Sequence, residues 1–303
     1  MIRLICLGVC IVLLSLLAGI VGGCQPEFLP GTYTDDMGRE VRIDEVPQRI
    51  VSHVPAITET LFALDLGEKV VGVSDYCDYP PEAELKDKVG NYFNPSIEKI
   101  VAFNPDLVLT DGHSQNITQL DSLGINYMVL QPKDIDGILR DIELLGKVTG
   151  VEKKAERLVK DMKECISNDT AQVRDVRRVS VFYLFDATDL NNPWTAGPGS
   201  FVDSLITMAG GVNVAAEAPG SWVQFSIEQV VASDPEVIMI DASHGSAVVL
   251  PEELREHPIW GGMTAVKQGR IFTIDGDLVN RYGPRIVQGL EEVAKIIHPE
   301  LFE

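Results

Sequence analysis

Four aromatic residues, Tyr76, Tyr92, Trp194 and Trp222, stand in stretches without helical or strand periodicity, where a core role would not place them. An aromatic ring offers a large apolar face with a polar tip, so four of them in matched loops suit a flat, weakly charged guest. Any single one is better read as a loop anchor packed on its own lobe, whereas four in pseudo-symmetric loops favour ligand contact. Asp111 and Asp241 each close an apolar run and are followed by His113 and His244. Those histidines could converge on a metal, or one could approach a metal carried by the guest, although their spacing matches no compact metal motif and lone loop histidines are commonly solvated. Glu98 and Glu228 fall in the first turns of two short helices, where a carboxylate complements the helix dipole. The chain has no Gly-x-Ser-x-Gly, no phosphate loop and no paired carboxylates beside a positioned histidine, and Gly197–Gly199 reads as a turn. These residues point to binding and not to catalysis, with a metalloenzyme built on the two His/Asp pairs and an adhesion or scaffolding protein as the contrasting readings.

The elements that must position these residues occur twice. Shifting the sequence by 130 positions lays Tyr92–Asp111 on Trp222–Asp241 without a gap, and Ser96, Ile97, Glu98, Val101, Ala102, Pro105 and Asp111 recur as Ser226, Ile227, Glu228, Val231, Ala232, Pro235 and Asp241. Each copy reads as an aromatic, a serine N-cap, a short helix, a proline stop and a buried strand ending on Asp. A period of domain size implies two related lobes with a cleft between them. Alternating strands and helices predict an α/β fold: two Rossmann-like lobes with mainly parallel sheets flanked by helices, their ligand loops at the carboxyl ends of the strands. Two apolar stripes, from Ile135 to Leu145 and from Val151 to Ile166, predict a long rigid helix joining the lobes and permitting only modest closure. The expected boundaries are a leader at 1–23, a tether at 24–33, an N-terminal lobe at 34–134, a helical linker at 135–177 and a C-terminal lobe at 178–303. Within them, strands are expected at Arg49–Ser52, Val70–Val73, Leu107–Thr110, Tyr127–Leu130, Val179–Phe185 and Ile271–Ile274. Helices are expected at Thr58–Leu66, Ser200–Ala209 and Pro284–Ile297.

A formal charge of −20, from 25 Lys and Arg against 45 Asp and Glu, argues against nucleic acid and against charge-driven binding to anionic lipid. Arg3 precedes an apolar run from Leu4 to Ile20, and Val21-Gly22-Gly23-Cys24 follows. The run is short and one-sided for a membrane span and reads as an export leader, which places the rest of the chain outside the cytoplasmic membrane. Cys6 and Cys10 belong to the leader. Cys77 and Cys165 have no metal-type spacing and are expected as two buried free thiols, with pairing in an oxidising compartment as the alternative.

The residues before Cys24 resemble the lipobox of bacterial lipoproteins, which implies acylation of Cys24 as the mature N-terminus and anchoring at the cell envelope, in a periplasm or on the outer face of the cell membrane. The run Ser52–Thr110, with Val71-Gly72-Val73-Ser74, the Tyr76–Pro81 loop, Ile97-Glu98 and Asn104-Pro105-Asp106, resembles the helical-backbone class of ABC-importer substrate-binding proteins. It is most similar to the cobalamin-binding members, and the similarity continues through Asn192–Gly197, Gly210–Asn213, Trp222–Glu228 and Asp277–Arg285. The resemblance implies a non-catalytic, monomeric receptor, without a cofactor of its own, that captures a corrinoid and delivers it to transmembrane subunits. It implies corrinoid contacts at Tyr76, Tyr92 and Trp222, with Asp277 and Arg281 nearby, and docking of Glu98 and Glu228 on arginines of the membrane subunits. The chain departs from the family at Asp111, where the cobalamin binders carry an aromatic, so Asp111 is expected at the ligand and a variant corrinoid or another macrocycle stays open. Haem or a ferric siderophore on the same scaffold is the alternative; such anionic guests call for several cleft arginines, and the cleft loops offer mainly Arg281 and Arg285.

Overall fold

The computed structural model of the chain describes residues 28–114, 116–242 and 249–302. The leader, Cys24 and His244 therefore lie outside the described residues.

The chain opens with an antiparallel hairpin, β1 (Gly31–Thr34) and β2 (Glu40–Ile43), which begins inside the segment expected as tether. Asp35 fastens the hairpin to the first lobe, because its carboxylate accepts the Val129 backbone N–H at 3.1 Å. Next come β3 (Ile50–Ser52), β4 (Val70–Ser74), β5 (Lys88–Gly90), β6 (Leu107–Thr110) and β7 (Tyr127–Val129). They form a parallel five-stranded sheet in the order β5-β4-β3-β6-β7. The second half contributes β8 (Val179–Leu184), β9 (Trp194–Ala196), β10 (Gly211–Asn213), β11 (Trp222–Gln224), β12 (Val237–Asp241) and β13 (Ile271–Ile274). Of these, β10-β8-β12-β13 form a parallel four-stranded sheet, and β9 and β11 pair as a separate antiparallel ribbon. Strands β6 and β12 are buried along their whole length, as parallel strands covered on both faces must be.

The internal repeat extends to side chains. Ser96 and Ser226 cap the helices Ile97–Ala102 and Ile227–Ser233 by accepting the backbone N–H three residues on. The turn that follows places Asn104 and Asp234 in the left-handed region, at φ 45° and 37°. That region disfavours most L-residues but admits Asn and Asp, which explains the residue types at this pair. Asp106 then accepts the Arg49 backbone N–H at 3.0 Å, and its counterpart Glu236 accepts that of Ser180 at 3.2 Å. In each lobe one carboxylate thus ties the start of the repeat strand to its neighbouring central strand.

The helices Ile135–Val148 and Glu152–Gln172 pack on each other, and Gly146 is required at their crossing because a Cβ there would overlap Ala155. The second helix, 21 residues and so about 31 Å long at 1.5 Å per residue, touches both halves. Near its start Lys154 pairs with Asp65 at 2.8 Å, and further along it packs on the last helix, Ile286–Ile297.

Four expectations are corrected. Trp194 and Trp222 lie on strands β9 and β11, not in loops: three-residue strands are too short to show alternation. Cys165 is exposed on the long helix, while Cys77 is buried, and both are free thiols. The first-lobe helix runs Pro55–Ala63, begun by proline at N1 and followed by Asp65 at φ 59°, so it starts and stops three residues earlier than the expected Thr58–Leu66. The last helix starts at Ile286, two residues after Pro284. Among the described residues no helix is long and apolar enough to cross a membrane.

Candidate functional site

A cavity of about 340 Å³ lies between the lobes at the carboxyl ends of their strands. The segment after β3 supplies Val54, Pro55 and Ala56; the loop after β4 supplies Tyr76; the loop after β5 supplies Tyr92 and Phe93. From the second lobe come Phe185, directly after β8, and Asp277, Asn280, Arg281 and Tyr282, beyond β13. In parallel sheets the loops at strand carboxyl ends form the crevice, and here both sheets contribute. The wall is largely aromatic, with a few convergent polar groups, as small-molecule sites usually are.

Tyr92 is held from three sides. Its ring stacks on His53, with centroids 5.8 Å apart and planes at 8°, and meets Phe93 edge-on at 4.8 Å. Its hydroxyl donates to Asp111, which is fully buried and does not itself line the cavity. Asp111 also accepts from the Tyr282 hydroxyl at 2.6 Å and from the His113 backbone N–H at 3.1 Å, and the His113 ring Nδ1 lies 3.1 Å away. Burial works against ionisation of Asp111, but the bonds from Tyr282, Tyr92 and His113 outweigh it and hold the carboxyl below its ordinary range. Burial and the neighbouring Asp111 charge push the Tyr92 hydroxyl up, so it stays a donor. Burial also lowers the imidazole of His53, whose Nε2 lies 3.2 Å from the Asn91 carbonyl; that acceptor fixes the ring proton on Nε2.

The repeat carries this arrangement into the second lobe. Asp241, equivalent to Asp111, accepts from the Tyr183 hydroxyl and from Asn280 Nδ2, the latter at 2.9 Å. Each lobe therefore ends its repeat strand in a buried carboxylate satisfied by a tyrosine.

Arg281 forms a bidentate pair with Asp78 at 2.7 and 3.2 Å and also meets Glu59 at 3.0 Å and Asp277 at 2.9 Å. Arg285 grips Glu59 through Nε at 2.8 Å and Nη2 at 2.7 Å, with its guanidinium 3.9 Å over the Tyr79 ring. Burial opposes the charge on Arg281, yet Asp78, Asp277 and Glu59 more than compensate and raise its pKa. Among the described residues lining the cavity Arg281 alone is cationic, and its charge is already met by carboxylates.

Of the residues singled out by sequence, Tyr76, Tyr92, Asp277 and Arg281 line the cavity, and Asp111 sits behind Tyr92. Trp222 is outside the lining set and leans on Phe185, with ring centroids 4.5 Å apart. Trp194 projects from the same face of the β9–β11 ribbon, and its N–H and carbonyl bond Asp186 and Phe185. Glu98 and Glu228 are exposed on equivalent helix starts. His113 is half-exposed, and among the described residues no group of three or more His, Cys, Asp and Glu side chains is arranged to hold a metal ion. Sequence reasoning did not find Glu59, Asp78, Asn280 or Tyr282. Asn280 and Tyr282 flank Arg281, and their polar types beside a candidate contact were the available signal.

Comparison with known proteins supplies the family. Residues 50–278 match the model of the periplasmic binding protein family. An ABC transporter substrate-binding lipoprotein, YvrC of Bacillus subtilis, is 33% identical over 287 residues, 92% of this chain and 89% of that protein. A cobalamin-binding protein of Halobacterium salinarum is 29% identical over 285 residues, 89% of this chain and 74% of that one. The heme-binding protein RhuT of Roseiflexus sp. RS-1, in apo form, superposes with a TM-score of 0.75 at 29% identity, covering 84% of this chain and 99% of its own. The chain belongs to the periplasmic binding proteins, the non-catalytic substrate-binding components of ABC importers.

Proposed function

We propose that the protein captures a corrinoid, cobalamin or a close relative, between its lobes and hands it to the transmembrane subunits of an ABC importer while anchored to the membrane through acylated Cys24. The observation that carries the choice of guest is the pairing of Arg281 and Arg285 with Glu59, Asp78 and Asp277. A cavity arginine, Arg281, that is already neutralised leaves little to attract a guest edged with carboxylates, whereas an aromatic wall with amide and hydroxyl groups suits a macrocycle edged with amides. The similarity to a cobalamin-binding protein supports the same reading.

Haem is the second reading, favoured by the likeness to RhuT and by half-exposed His113 next to the cavity tyrosines. Its two propionates would have to displace carboxylates already seated on Arg281. Cavities for small ligands span about 300–1,000 Å³, and 340 Å³ lies at the low end, so a tetrapyrrole is admitted only as the lobes part. Competition of cyanocobalamin, dicyanocobinamide and haemin for the purified chain tests the assignment. A corrinoid should bind at least about tenfold more tightly than haemin, and the reverse order would replace it with the second reading.

A further inference from the structure

Three consecutive residues of the second lobe divide their bonds between the lobes. Asn280 stays at home, donating to Asp241 at 2.9 Å, while Arg281 crosses to Asp78 and Glu59 and Tyr282 crosses to Asp111. Gly283 follows, and a Cβ there would stand 3.1 Å from the Ala56 carbonyl oxygen, so the strap lies against the first turn of the first-lobe helix. Arg285 completes it on Glu59. The Tyr282 bond differs from the others because its acceptor also holds Tyr92, the aromatic of the first repeat copy. Tyr92 and Tyr282 thus approach from opposite lobes, line the same cavity and share one buried carboxylate.

We propose that the carboxylate of Asp111 is a positioning and specificity residue: through Tyr282 it latches the lobes over the cavity, and with Tyr92 it sets a fixed negative charge behind the cavity wall that favours amide-edged or cationic guests over carboxylate-bearing ones. This rests on the reading that the guest binds in this cavity. Two consequences can be separated. As a latch, the Tyr282–Asp111 bond limits the fraction of molecules open to a guest, and the apparent association rate scales with that fraction. A hydrogen bond to a charged group shifts such an equilibrium by about tenfold or more. As a charge in a poorly solvated place, Asp111 repels a nearby propionate far more than it affects a neutral amide.

The test uses the native chain, Tyr282→Phe and Asp111→Asn. Hydrogen exchange of the Arg281, Tyr282, Gly283 and Arg285 amides is followed without ligand, and stopped-flow tryptophan fluorescence with cyanocobalamin and with haemin. Tyr282→Phe should speed strap exchange and guest association about tenfold. Asp111→Asn, whose amide oxygen still accepts a hydroxyl but carries no charge, should loosen the strap less and shift the cyanocobalamin-to-haemin affinity ratio about tenfold toward haemin. Strap exchange within twofold of native in Tyr282→Phe would overturn the latch, and an unshifted affinity ratio in Asp111→Asn would overturn the charge selection. If the native chain binds neither tetrapyrrole, the assignment of the guest fails, while the ligand-free exchange still decides the latch. Circular dichroism matching the native chain verifies that each variant is folded, and the Tyr282→Phe exchange result stands independently of how Asp111→Asn behaves.

Discussion

Glu59 Oε1 and Arg281 Nη1 meet at 3.0 Å although they stand 222 positions apart in the sequence. Glu59 lies on the first helix of one lobe and Arg281 on the strap of the other, with side chains only 2% and 11% exposed. With Asp78, Asp277 and Arg285 they make a cluster of three carboxylates and two guanidiniums at the junction. In poorly solvated surroundings each guanidinium is stable only while a carboxylate is seated on it, since an ion taken from water is costly unless paired.

Removing one member should therefore cost more than its own contacts. Glu59→Ala leaves Arg281 and Arg285 without a shared acceptor, and the expected loss is about 3–5 kcal/mol of folding stability. Urea denaturation of Glu59→Ala, Arg285→Met and the double variant should show the second substitution costing much less once the first is present. Additive losses would mean that the cluster does not act as a unit.

Trp222 leans on Phe185, which lines the cavity, whereas Trp194 is tied to that region through the ribbon backbone. Guest binding should quench Trp222 more than Trp194, so Trp222→Phe should abolish most of the fluorescence change. Tyr92→Ala, which removes a ring packed on His53 and Phe93, should weaken binding about tenfold or more. Titrations of the two variants check this, and an unchanged dissociation constant in Tyr92→Ala would remove the ring from the binding surface.

Glu98 and Glu228 are exposed on equivalent helices, and neither lines the cavity. The expectation that they dock on the membrane subunits predicts a separation of functions. Glu98→Ala with Glu228→Ala should leave ligand affinity within twofold of native and strongly reduce uptake by cells carrying the importer. Uptake at the native level would reject docking through these carboxylates.

Asp141, buried on the helix Ile135–Val148, is pushed up to about 8 by burial first and then by the neighbouring Asp36 carboxylate. Its folded value lies above its ordinary 3.8, so the stability it contributes is fully present below about pH 4 and is lost as pH rises through about 8. Asp141→Asn does not titrate. Its denaturation midpoint relative to native should rise between about pH 4 and 8 and level off above, and a difference independent of pH would show that Asp141 ionises normally.

Much of this organisation was legible in the chain, because the repeat writes it twice. Ser96 with Ser226, Asn104 with Asp234 and Asp111 with Asp241 marked equivalent caps, turns and strand ends, and the structure places each pair in the same local role. Tyr92 reached the cavity as its loop position implied. What periodicity could not reveal was pairing at long range. Glu59 reads as an ordinary helix residue, and the Tyr282 hydroxyl meets Asp111 across 171 positions, so neither signals its partner locally. Trp194 and Trp222 were misplaced for the opposite reason, since strands of three residues leave too little pattern to detect.

The central claim is that the paired arginines and aromatic wall select a macrocycle of low charge. Isothermal titration of the chain from residue 25 onward with dicyanocobinamide, cyanocobalamin and haemin addresses it most directly. One saturable corrinoid site, at least about tenfold tighter than haemin, is the expected result. Tighter binding of haemin, or no heat with any of the three, would contradict it.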